Sequence, residues 1–444
     1  MRAGCSKIDI TPPIGAPIGG NIREDNISRG IHDPLYANVL YLENDNHSIL
    51  FIGLDIINVH NSFTKDIKEY LEVLFQIPVK NIIIFATHTH SGPDTQIFSE
   101  EKHSIIREYL ENLKLKIAKA TEQCMENTFT CHIGIGTQYE DSVSFNRRIF
   151  MKDGALRMNW ESLNPNDVVG TSGPIDPSLY VISVKDQVGR IRSVLVNFTL
   201  HPAILVGKEW KISRDFVGPL TDGLEEKISK ELVVLFANGA EGNINHINVH
   251  DSNQTRGFEE IKRIGEVLCA KVVFTLDKIQ YLEGVEINSQ TKSIKLPRRK
   301  ISKERVQEAI ALLEKVNWKV PSLLDGKPKE TYALDEIYLS KLPESVLKTE
   351  IQTIQIGDIC IVGLPGEFFV EIGLKIKEIS PFSHTLIFGL ANDHVGYVPT
   401  KQAFKEGGYE TITSRTSQLL PETEDQVIEH VQDMLNRLNA KIVD

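Results

Sequence analysis

The segment Thr87-His88-Thr89-His90-Ser91-Gly92-Pro93 directly follows the apolar run Asn81 to Ala86. Alternate residues of a strand face the same side, so His88 and His90 project together from its carboxyl end, where open α/β sheets place their sites. Two imidazoles so placed can hold a divalent metal, or one can ligate while the other carries a proton. An isolated His-x-His could equally be two surface histidines, but here the arrangement repeats. The run Ser193 to Leu200 ends in His201-Pro202, Thr353 to Leu364 ends in Pro365-Gly366-Glu367, and Thr385 to Leu390 runs into Ala391-Asn392-Asp393-His394. Three histidines with one carboxylate are a normal zinc ligand set, and strand ends of one sheet can converge on one crevice. Taken singly, His201 could be a core histidine, Glu367 a first-turn acid favoured by a helix dipole, and His394 a loop residue.

A glycine-rich loop, Ala237-Asn238-Gly239-Ala240-Glu241-Gly242-Asn243, follows the run Leu232 to Phe236. Its backbone N–H groups could stabilise an oxyanion or a bound anion, or the glycines could simply serve a tight turn. It is neither a Walker loop nor a dinucleotide fingerprint, so nucleotide binding has no support.

These motifs need a sheet to carry them. Short Ile/Val/Phe-rich runs alternate with amphipathic stretches of helix length, the pattern of strands covered by helices on both faces. The expected fold is α/β, a mixed, largely parallel sheet flanked by helices. Strands are expected at Ser48 to Ile56, Asn81 to Thr87, Cys131 to Gly136, Leu179 to Val184, Ser193 to Leu200, Leu232 to Ala237, Thr353 to Leu364 and Thr385 to Leu390. Helical stripes run through Ile105 to Ala118 and through Phe369, Ile372, Ile376 and Ile379. Between about 302 and 348 the composition turns to Lys, Glu and Leu, interrupted by Pro321, Gly326 and Pro328, which reads as a helical insertion. No repeat period or long polar linker divides the chain, so residues 1–444 are expected to form one catalytic domain.

Hydrophobic residues make up 41% of the 444 and charged residues 25%, ample for a globular core. A net charge of -11 would repel a phosphate backbone or an anionic bilayer, which argues against nucleic acid and stable membrane partners. No stretch approaches the ~20 apolar residues of a membrane span, and Met1 to Gly20 lacks an export signal; a cytoplasmic protein is expected. The five cysteines are scattered, odd in number and never in a CxxC pair. A metal here must therefore use histidines and carboxylates.

In order along the chain, Thr87–Pro93, Leu200-His201-Pro202, Phe236–Gly242, Gly366-Glu367-Phe368 and Asn392-Asp393-His394 with Tyr397-Val398 resemble the catalytic domain of the neutral, non-lysosomal ceramidases. Ile8-Asp9-Ile10-Thr11-Pro12 and Gly30-Ile31-His32-Asp33-Pro34 fit as well. The resemblance implies a zinc amidohydrolase whose ligands are His88, His201, Glu367 and, in place of the family's Tyr, His394. The second histidine of the motif, His90, would touch the substrate. Two departures bear on substrate: where the family carries its nucleophilic Ser this chain is read to have Gly239, and no additional C-terminal β-domain follows the catalytic motifs. The expected substrate is accordingly a smaller, soluble, polar molecule.

With Zn2+ as cofactor, metal-assisted hydrolysis of an amide or ester needs no Ser. His90 is the first candidate to move protons, with Asp215 and Glu241 as carboxylate alternatives. Arg147, Arg148 and Arg214 could grip a carboxylate, phosphate or sugar hydroxyls, and Asn238, Gly239 and Tyr397 join them as candidate substrate contacts. Cleavage of a glycosidic or lactone bond, with Glu241 or Asp215 as acid, is the alternative. A non-catalytic metal-binding sensor or scaffold is a third reading. The partner is a small-molecule substrate, and a homo-oligomer stays open.

Overall fold

The computed structural model describes residues 1–22, 25–45, 47–95, 100–205, 209–282, 285–323, 326–343 and 345–443, the side chains of 100–103 and 441–443 excepted. Its larger sheet has nine strands: β1 (Arg2–Asp9), β2 (Tyr36–Glu43), β3 (Ser48–Leu54), β4 (Ile82–Ala86), β5 (Phe129–Tyr139), β6 (Ser178–Asp186), β7 (Ile191–Phe198), β8 (Val233–Asn238) and β9 (Gln280–Leu282). They lie in the order β8-β7-β6-β5-β1-β2-β3-β4, with β9 also pairing β5. A second sheet orders β10 (Ile287–Pro297), β11 (Val346–Ile356), β12 (Ile359–Gly363) and β13 (His384–Phe388) in sequence.

Strand faces alternate between two cores. Leu50, Ile52, Leu54, Ile82 and Ile84 pack under helices α1 (Asn61–Phe75) and α2 (Glu100–Glu126), whereas Phe51, Ile83 and Phe85 meet Ile354, Ile361 and Phe388 of the second sheet. Under α3 (Val217–Lys227) and α4 (Gly257–Leu276), Val194, Val196 and Phe236 form a third core. Helices α7 (Val370–Ile379) and α9 (Thr423–Val443) cover the outer face of the second sheet. The result is two face-to-face sheets with helices outside, and burial on both faces explains the unbroken apolar runs.

The fold class is as expected, but the sheets are mixed with antiparallel pairing predominating rather than largely parallel. Within these two sheets the parallel pairs are β3/β4, β7/β8 and β12/β13. These are the places where a helix, α1, α3 or α7, supplies the crossover that parallel strands need; β2/β3, β6/β7 and β11/β12 are joined by short turns and run antiparallel. The expected single strand Thr353 to Leu364 is in fact a hairpin, because Gly357 (φ 59°) opens a two-residue turn that pairs Ile356 with Ile359. Strands β1 and β2 were not anticipated.

Between β10 and β11 the chain forms α5 (Lys303–Lys315) and α6 (Lys329–Ser340), which pack on each other through Ala309, Leu313 and Ala333. They occupy the span expected to be a helical insertion, of which residues 324, 325 and 344 lie outside the described residues. A short helix α8 (Lys401–Glu406) precedes α9. No helix among the described residues is long and apolar enough to cross a membrane.

Candidate metal centre and cavity

Each parallel pair delivers site residues from its carboxyl ends. His88 leaves β4, His201 leaves β7, the 238–243 loop leaves β8, Glu367 follows β12 and His394 follows β13. His88 adopts φ 71°, a strained left-handed backbone, held by its N–H bond to Ile56 O at 3.0 Å. Gly20 packs against His90 so closely that a Cβ there would fall 2.4 Å from the imidazole Cγ.

The Nε2 atoms of three histidines converge: His88 to His201 at 3.1 Å, His90 to His201 at 3.1 Å and His88 to His90 at 3.3 Å. Their Nδ1 atoms face acceptors, Ile57 O for His88 (2.5 Å), Asn21 Oδ1 for His90 (3.3 Å) and Glu241 O for His201 (3.4 Å). Each Nδ1–H therefore donates, and each Nε2 turns a lone pair to the common point. Three lone pairs this close repel unless a cation lies between them. Zinc–nitrogen bonds of about 2.0–2.1 Å set tetrahedral donors about 3.3–3.4 Å apart, so the spacing fits a metal. Burial holds His201 well below the ordinary histidine range, the state that ligates.

Glu367 completes the cluster. Its Oε2 lies 3.5 Å from His88 Nε2 and 3.7 Å from His201 Nε2, buried and without a hydrogen-bond partner. Burial alone would raise this carboxyl, but the adjacent His88 and the hydrogen bond from His394 keep it well below the usual range. His394 has the opposite tautomer to the other three. Asn58 Nδ2 approaches its Nδ1 at 3.4 Å while Asn58 Oδ1 accepts from Thr95, so the His394 proton sits on Nε2 and is donated to Glu367 Oε1 at 3.0 Å. The geometry thus brings His90 into the cluster with His88 and His201 and sets His394 against Glu367 Oε1, whereas the resemblance implied His394 as a ligand and His90 as a substrate contact.

A cavity of about 850 Å³ opens over this cluster, reaching His90, His201, Arg147, Tyr397, Trp160 and Tyr409. Arg147 donates through Nε to Glu410 at 2.7 Å, stacks among Trp160, Tyr397 and Tyr409, and keeps a buried Nη2 with no partner. Burial raises the Tyr397 phenol well above its ordinary value, so it stays a donor.

Most of the other expected site residues have structural partners. Arg148 is bound to Glu410, Glu406 and Gly407 O, and Arg214 to Asp33, Thr221 and Asp222. Asp215 accepts from the backbone N–H groups of Ile204, Leu205 and Phe216, fixing the chain just after His201; burial raises its carboxyl to about 7. Asn238 ties its own loop to Leu200, and a Cβ on Gly239 would lie 2.0 Å from Thr199 Oγ1, leaving no room for a nucleophilic side chain there. Glu241 is fully buried with neither carboxyl oxygen bonded, and desolvation followed by the Glu367 charge raises it well above the carboxylate range. Trp160, Tyr409, Asn58 and Asn21 were missed in the sequence because none sits in a motif; only the topology brings them here.

Residues 1–253 match the family described as neutral/alkaline non-lysosomal ceramidase, N-terminal. The chain belongs to this family. It is 23% identical to the neutral ceramidase of Pseudomonas aeruginosa over 479 residues, covering 92% of this chain and 68% of that one. The crystal structure of neutral ceramidase from Pseudomonas aeruginosa superposes with a TM-score of 0.76 at 20% identity, over 99% of this chain and 74% of that one. A ceramidase complexed with C2 gives 0.75 at 18% identity, over 99% and 75%. The protein is a neutral-ceramidase-like hydrolase in which His88, His90 and His201 could hold a metal ion.

Proposed function

We propose that this ceramidase-family chain is one catalytic domain that hydrolyses an amide or ester bond of a small polar substrate with a zinc ion held by His88, His90, His201 and Glu367. The observation that carries the reading is the convergence of three Nε2 lone pairs beside the unpartnered Oε2 of Glu367. When bound there, the metal supplies Lewis acidity and lowers the pKa of water. His394 fixes the orientation of Glu367 through Oε1. Arg147 Nη2 and the Tyr397 hydroxyl direct hydrogen-bond donors at the acceptor oxygen of the scissile group, and the aromatic side chains around Arg147 exclude water from its guanidinium. Asp215 is a positioning residue for the His201 segment. Polar groups line much of the cavity, which favours a compact polar substrate over a long acyl chain.

The test is elemental analysis combined with turnover of a panel of short N-acyl amides and esters beside glycosides and lactones. About one zinc per chain and cleavage of the amide or ester panel are expected. His90→Ala should lose the metal, while His394→Ala should keep it with an affinity about 10–100-fold weaker. Metal-free protein that takes up no zinc, or retention of full zinc by His90→Ala, would overturn the assignment.

A further inference from the structure

The outer wall of the cavity carries two buried polar atoms that the hydrolytic centre does not use. His246 is 9% exposed, lines the cavity, and its Nδ1 has no hydrogen-bond partner. Glu209 lines the same cavity with its Oε2 buried and equally unpartnered. Both stand against the segment Gln254–Gly257 that leads into α4: Gln254 Nε2 donates to His246 O at 2.7 Å, and a Cβ on Gly257 would lie 3.5 Å from Glu209 Oε1. The wall behind is built rather than loose, since Asn245 and Asn159 exchange side-chain amide hydrogen bonds at 2.7 and 2.8 Å beside His246.

A buried polar atom left unbonded is costly, and such atoms in a cavity wall mark where a ligand bonds. Burial lowers His246 to about 4, so at neutral pH its ring is uncharged and either donates or accepts. Glu209 only accepts. Arg147 and Arg256 in the same wall disfavour a cationic ligand, while Glu209, Glu161 and Asp251 disfavour an anionic one. A neutral hydroxyl satisfies all of these, donating to the carboxylate and pairing either way with the imidazole. Trp160 on the same cavity adds an apolar surface of the kind on which a sugar ring packs.

We infer that His246 and Glu209 form a hydroxyl-recognition subsite, and that the substrate carries a hydroxyl-bearing group such as a sugar or polyol away from its scissile bond. This deepens the hydrolase reading and rests on it for the word substrate, but the subsite is measurable without turnover. Calorimetric titration of the full chain with methyl β-D-glucopyranoside, ethylammonium and inorganic phosphate separates the ligand classes. The glucoside should bind, and the two ions should neither bind nor compete. His246→Leu and Glu209→Gln should each weaken the glucoside about tenfold, whereas His246→Gln, which keeps a donor and an acceptor, should stay within about threefold of the parent. Metal content should be equal in all variants, and protein stripped of metal by a chelator should still bind the glucoside. Failure of the zinc centre thereby leaves this result standing, and failure here leaves the zinc centre standing. No glucoside binding at tens of millimolar, tighter binding of phosphate or ethylammonium, or unchanged affinity in both His246→Leu and Glu209→Gln overturns the proposal.

Discussion

The two sheets contribute differently to one centre. The nine-stranded sheet supplies the three imidazoles of the cluster, and eight of its nine strands, β1 to β8, lie within the residues that match the family, 1–253. The four-stranded sheet supplies Glu367 and His394, beyond that match, and its outer hairpin strands contribute nothing to the cluster. One half therefore carries neutral donors and the other the compensating charge. The lesson is that the proposed centre is a property of the seam, since neither sheet alone holds both the imidazole cluster and the carboxylate beside it. The seam is sewn with side-chain amides. Asn197 on β7 donates to Ala237 O and to Ile387 O, and Asn392 accepts from Ile84 N on β4 while donating to Gln352 on β11.

If the centre belongs to the seam, a substitution on either side should have the same large effect. His88→Ala and Glu367→Gln are each expected to abolish stoichiometric zinc and at least ~10³-fold of turnover, because the remaining groups cannot hold the ion in place. A Glu367→Gln protein with full zinc and near-normal rates would confine the centre to the first sheet. A finer contrast lies in two adjacent arginines. Arg147→Lys should cut kcat/KM by about 10–100-fold with little change in melting temperature, since it removes a donor facing the cavity. Arg148→Met should instead destabilise by about 3–5 kcal/mol, because it leaves Glu410, fully buried, with one cation fewer. Thermal melts and steady-state kinetics on both proteins would show whether the division holds, and interchange of the two phenotypes would refute it. The smallest effect is expected at the stitch itself: Asn197→Leu should cost about 1–3 kcal/mol by removing the two buried hydrogen bonds its amide donates. Unchanged denaturant midpoint in that variant would mean that the sheets adhere through apolar contact alone.

Much of this was readable from residue order. Strand β4 announced itself by an unbroken apolar run and His88 by its place just after it, since local sequence determines both. The helix stripes of α2 and α7 were legible for the same reason. Sheet direction was not, because whether neighbouring strands run parallel depends on which connections hold a helix, and the two-residue turn at Gly357 hides inside an apolar run. The places of His90, in the imidazole cluster, and His394, against Glu367, could not be separated either. The difference is one of tautomer, and the tautomer is set by Asn21 and Asn58, residues remote in sequence with no motif of their own. Likewise nothing in the dipeptide Arg147-Arg148 tells which guanidinium meets Glu410 alone and which also meets Glu406 and a backbone carbonyl.

The amide stitch made by Asn392 also sets an order of events. During synthesis His88, His90 and His201 emerge long before Glu367, and in that interval three mutually repelling lone pairs have no carboxylate beside them. In the finished fold Asn392 accepts from Ile84 N–H, a bond that requires β13 to be docked and that holds the Glu367–His394 pair in register with β4. On the proposed zinc reading, metal capture is then the closing step of maturation, and a cell short of zinc would accumulate a folded chain waiting for the ion.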